Sequence, residues 1–207
     1  MEWEKLTAEK NFLVYGKFTE PDKKGIIIRW AKTIKKPSDV FAIVDSLTIK
    51  NVDTADIPIM TASEMAKKGV IAAACAEQAI LCASILKTAG IPTGIMGAIK
   101  SDSLFDSTKY PNDNIASHIV DIVYWKGKWH LLDSGSKVFS AEITATLTEQ
   151  GFLPCKIWYT DFSEEDMHNR IDTYWAMVAK VAKILGLKYQ MGVLHPKVRE
   201  FLENETN

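Results

Sequence analysis

The sequence has only three cysteines, Cys75, Cys82 and Cys155, among its 207 residues. A set that small and odd in number does not make a disulfide framework, so an apolar core must hold the fold. No apolar run approaches the ~20 residues that a membrane-spanning helix needs. Met1-Glu2-Trp3-Glu4-Lys5 puts charges where the apolar part of a secretory signal would begin. Neither sign of charge dominates, and the formal net charge is -1. Binding through nucleic-acid phosphates requires clustered Lys and Arg, and short basic pairs such as Lys35-Lys36 read as solvated surface. Neither nucleic acid nor membrane is therefore expected as a partner. Histidine is scarce, and there is no C-x-x-C or H-x-x-x-H spacing of the kind that holds zinc. A glycine-rich phosphate loop is absent, and Asp102, Asp106 and Asp113 are too loosely spaced for a calcium site. The expectation is a cytoplasmic protein with reduced thiols and no cofactor or metal.

Apolar residues make up 47% of the chain, enough for a substantial core at this length. The text is read as a single domain, 1–207, with a helical N-terminal part over 1–59 and a C-terminal helix over 163–186. Pro37-Ser38-Asp39 separates two short helices between Asp22 and about Val52, with Ser38 or Asp39 able to cap the second. Thr61 and Glu64 have capping-box spacing, and their helix should end near Gly69. The clearest helix runs from Cys75 to Ala89. Gly90 can take the left-handed position after it, and Pro92 prevents its continuation. Strands are expected over 91–100, 116–125 and 128–134, the last two forming a hairpin about Lys126-Gly127. One or two more strands should lie within 138–159, whose first half is ambiguous. Residues 101–115 form a polar loop, expected to border the cleft. Helices first and antiparallel strands after is an α+β order.

Cys75 heads its helix, where unpaired N–H groups and the helix dipole favour a thiolate, the form that attacks an acyl carbon. Taken alone it also reads as one more core cysteine. Cys82 lies two turns along the same apolar face and reads as a buried thiol, as does Cys155. A two-residue turn at Lys126-Gly127 pairs Trp125 with Lys128. That register sets Asp133 opposite Val120, on the sheet face of His118. His118 and Asp133 are then diagonal neighbours, roughly 7–8 Å apart at the backbone. Alone, Asp133 also reads as a turn residue before Ser134-Gly135. His130 falls on the opposite face as a structural or exposed residue, and His168 reads as solvated. Glu77 sits in the first helical turn, where a carboxylate suits the dipole.

Cys75-Ala76-Glu77 through Ala89-Gly90-Ile91-Pro92, then Ser117-His118-Ile119-Val120 through Trp129-His130-Leu131-Leu132-Asp133, resembles the transglutaminase-like superfamily of papain-like cysteine enzymes. The likeness covers about residues 60–140. It implies a papain-like core in which the cysteine helix packs on an antiparallel sheet, and a Cys75-His118-Asp133 triad acting on an amide or peptide bond. The implied partner is a peptide or protein substrate, or a small amide, and the implied acceptor is water or an amine. A non-catalytic binding module on this fold, or an acetyl-transfer enzyme using the same residue types, are the other readings. The sequence departs from the pattern at Ala73, where glycine is common, and at Ile119-Val120, where an aromatic is common. It departs again at Ser134-Gly135, where proline or threonine often follows the aspartate.

Overall fold

Short helices, stopped early by turn residues, occupy the first part of the computed structural model. The structure describes residues 10–22, 25–50, 60–72, 75–100 and 117–158, together with 179, 183, 185–188 and 196–197. Helix α1 spans Ile26–Ala31 and α2 spans Val40–Asp45. Between them Pro37–Asp39 forms a 3-10 turn. Asp39 does not cap α2 with its side chain, as the sequence suggested. Its carboxylate instead accepts from the N–H groups of Lys35 and Lys36 at 2.8 and 2.9 Å, closing the preceding turn. Helix α3, Ala62–Lys68, has the expected capping box between Thr61 and Glu64 and ends at Gly69, whose φ is 64°.

Strand β1, Thr48–Lys50, was not foreseen. It pairs in parallel with β2, Val70–Ala72, a partner distant in sequence, and three residues carry too little pattern to announce themselves.

Helix α4, Cys75–Thr88, is the core of the fold. It is apolar all round, and Ile80, Leu81, Ile85 and Leu86 are fully buried. Its two buried charges have partners: Glu77 accepts from the Met60 N–H at 3.0 Å, and the Lys87 ammonium donates to the Val14 carbonyl at 2.7 Å. The helix ends as expected. Gly90, at φ 77°, donates to the Lys87 carbonyl at 3.0 Å, and Ile91 donates to the Leu86 carbonyl at 2.9 Å.

Five strands follow in the sheet order β6-β5-β4-β3-β7, where β3 is Thr93–Lys100, β4 is Ser117–Trp125, β5 is Lys128–Asp133, β6 is Val138–Ser140 and β7 is Phe152–Trp158. Trp125 pairs with Lys128 and Asp121 with Leu132, the expected register. Lys126 and Gly127 have φ of 50° and 85°, the pair of positive values that a tight hairpin turn requires. The ambiguous stretch after β6 contains helix α5, Ile143–Glu149, whose Ile143 and Leu147 are both buried one turn apart. Its threonines suggest strand, but the buried period is helical. The stretch 101–115, expected to be a loop, and nearly all of 163–186, expected to be a helix, lie outside the described residues; Ala179 and Lys183 are helical, and Gly186 has a φ of 65°.

The chain divides into two compact units, one of residues 1–96, 119–143 and 157–162, the other of 97–118, 144–156 and 163–207. Tight packing in the first gives a direct test. A Cβ on Gly94 would lie 2.8 Å from Phe12 Cε1 and 3.3 Å from Ile122 Cγ1. Phe12 is itself buried, with its ring centroid 4.5 Å from that of Trp129, so it has no room to yield. Gly94→Ala is expected to cost about 1–3 kcal/mol of stability, the usual penalty of overpacking. The urea midpoint should fall accordingly; an unchanged midpoint would show that the Phe12 segment moves freely.

Candidate active site

Cys75 is the first residue of α4, half-buried and not in a disulfide. The first turn of a 14-residue helix carries backbone N–H groups without intrahelical partners, and Cys75 belongs to that turn. Such groups favour a thiolate, and they favour the oxyanion that forms when the thiolate attacks.

Asp133 ends β5 and is 3% exposed. Its carboxylate is held by its own turn. Oδ1 accepts from the N–H groups of Gly135 at 3.0 Å and Ser136 at 3.3 Å, while Oδ2 accepts from the Ser136 hydroxyl at 2.5 Å. The turn reading of Asp133 is therefore correct. It does not compete with an orienting role, because these donors fix a buried carboxylate rather than solvate an exposed one.

Ser134 joins this turn to α4, donating to Gln78 Oε1 at 3.0 Å. The β4–β5 ladder runs from Trp125–Lys128 to Asp121–Leu132, the residue before Asp133, and Asp133 itself pairs with Val138 of β6. Cys75 and Asp133 belong to the first unit, and His118 is the last residue of a segment of the second. Within the second unit, the half-buried His118 ring has its centroid 5.0 Å from that of Phe152. Phe152 belongs to β7, 34 residues on from His118. No local pattern could have announced Phe152 beside His118 or Gln78 as the partner of Ser134.

The remaining candidates fall into structural roles. Cys82 is fully buried, and burial pushes its thiol well above the usual value of 9.0; the nearby Asp121 carboxylate adds to the rise and a hydrogen bond from Ser134 opposes it. His130 is 9% exposed, stacks on Phe139 at 4.7 Å, and directs Nδ1 at the Lys128 carbonyl at 3.1 Å. Burial lowers its pKa, partly offset by that carbonyl. Glu77 is buried and accepts from the Met60 N–H. The side chains of Cys155 and His168 lie outside the described residues. Among the described residues, no cluster of three His, Cys, Asp or Glu is placed to hold a metal, and no helix is long and apolar enough to cross a membrane.

No family model matches the chain, and no curated protein does. Solved structures do. A candidate cysteine protease from Cytophaga hutchinsonii superimposes with a TM-score of 0.50 at 14% identity, over 72% of this chain and 46% of that one. This chain therefore spans less than half of that protein's length. LapG of Legionella pneumophila aligns at 14% identity over 82% of this chain and 83% of its own, with a TM-score of 0.41. The chain has the α+β, papain-like fold. At this identity the likeness is one of fold, and it agrees with a cysteine-headed helix packed on an antiparallel sheet.

Proposed function

We propose that the protein is a cysteine-dependent hydrolase that cleaves an amide or peptide bond through a thioester, with Cys75 as nucleophile, His118 as base and acid, and Asp133 as the group that orients His118. The observation that carries this reading is the β4–β5 register. It pairs Asp121 with Leu132, the register from which the expectation of a shared face for Asp133 and His118 was drawn, and that agreement supports the reading. The position of Cys75 at the head of α4 supports it independently.

In the proposed cycle, Cys75 Sγ attacks the amide carbon and gives its proton to His118. His118 passes that proton to the leaving nitrogen as the C–N bond breaks. Water then adds to the thioester, losing a proton to His118, and the acid departs as the thiol is restored. The substrate class is a peptide or protein, or a small amide, and the compartment is the cytoplasm, which keeps thiols reduced.

Acyl-enzyme trapping tests this. The protein is incubated with a mixture of peptide amides, quenched in acid and digested, and the Cys75 peptide is weighed. A mass increase on that peptide is expected, with His118→Ala slowing its formation by about 10²–10⁴-fold. Excess primary amine then partitions the acyl group, and free acid is expected to dominate. Amide product at modest amine concentration would reassign the protein as an acyltransferase. No adduct with any substrate, and no effect of His118→Ala, would favour a binding module.

A further inference from the structure

The turn after β5 departs from the pattern that the sequence otherwise resembles, and in the structure its two serines do different jobs. The Ser136 hydroxyl donates to Asp133 Oδ2, while the Ser136 N–H joins that of Gly135 on Oδ1. Both carboxylate oxygens are thereby engaged from one side, which fixes the rotamer of a buried group. Ser134 points the other way. It is 5% exposed and donates to Gln78 Oε1 at 3.0 Å. Gln78 and Cys82 lie three and seven residues after Cys75, on its own face of α4. Gly135 completes the fit: a Cβ there would lie 3.4 Å from Asp133 Oδ1 and 3.5 Å from Gln78 Oε1, so the turn backbone runs close against both acceptors.

We propose that Ser134 and Ser136 are positioning residues that together hold the Asp133 carboxylate at a fixed place relative to the Cys75 helix, an inference that rests on the function proposed above. Ser136 sets the direction of the carboxylate, and Ser134 sets the separation between the turn and α4.

The test is the pH profile of Cys75 alkylation by iodoacetamide in the full chain. Wild type is compared with Ser136→Ala, Ser136→Thr, Ser134→Ala and His118→Ala, each checked for an unchanged melting transition. Ser136→Ala is expected to slow Cys75 alkylation at about pH 6 by about tenfold, the size of one lost hydrogen bond to a charged group. The rate at about pH 10, where any thiol is ionised, should not change, because access to Cys75 is intact. Ser136→Thr keeps the hydroxyl and should restore the low-pH rate, which a merely structural role would not require. Ser134→Ala should show a loss of the same kind; if that buried change prevents folding, the exposed Ser136 pair decides alone. A Ser136→Ala profile that superimposes on wild type, while His118→Ala remains slow, overturns the inference and leaves the proposed function standing. A wild-type profile like that of an ordinary thiol, unmoved by His118→Ala, overturns both.

Discussion

Iodoacetamide applied to the native protein at about pH 6 is expected to alkylate Cys75 and leave Cys82 unmodified. The two residues sit on one helix, two turns apart, so the contrast depends on environment alone. Cys75 is half-exposed at the helix start, where partial positive charge favours its thiolate. Cys82 has no accessible surface, and its ionisation is opposed first by burial and then by the Asp121 carboxylate. Reagent can reach Cys82 only when α4 separates from its surroundings, an opening with a free-energy cost close to that of global unfolding. The rate ratio should exceed about a hundredfold in buffer and collapse in denaturant. Tryptic mass mapping after a short pulse measures it. Equal labelling of the two under native conditions would mean that α4 is not the core of the fold, and the helix-terminus argument for Cys75 would fall with it.

Replacing Asp121 by asparagine is expected to stabilise the protein, increasingly so as pH rises. Asp121 is 1% exposed, and its Oδ1 has no hydrogen-bond partner. Burial pushes its pKa well above the usual 3.8; the Lys87 ammonium opposes the rise, and Asp133 adds to it. The sign follows from proton counts. Between 3.8 and the raised folded value, the folded chain keeps a proton that the unfolded chain releases. Stability therefore falls as pH climbs through that window, by about 1.4 kcal/mol per pH unit, and levels off above it. Asparagine has nearly the same shape and no such ionisation. The difference between variant and wild type should be small near pH 4 and grow toward neutrality. Urea titrations across that range measure it. Parallel curves would show that the carboxylate is ionised and satisfied, by Lys87 above all.

Asp121 also shows where sequence reading reaches its limit. It stands in a strand of otherwise apolar text, His118-Ile119-Val120-Asp121-Ile122-Val123. Alternation alone would give a charged residue in β4 a solvent-facing place, yet residues on both sides of it are buried. Whether a strand is covered on one face or two depends on what the rest of the chain lays over it. The same holds for α5, where β-branched text became a helix because Ile143 and Leu147 could be buried one turn apart.

What the sequence determined by itself was local and short-range. The stop of α4 followed from Gly90 and Pro92, the start of α3 from Thr61 and Glu64, and the β4–β5 register from Lys126-Gly127, because each depends on backbone geometry within a few residues. Once that register is set, the face that carries Asp133 is set with it. Tertiary structure alone decided the rest. It joined β1 to β2 across some twenty residues, brought Phe152 to the His118 ring, and laid Ser134 against Gln78, 56 residues distant in the chain. These contacts depend on closing long loops and on the total burial achieved, and neither is written in a window of adjacent residues.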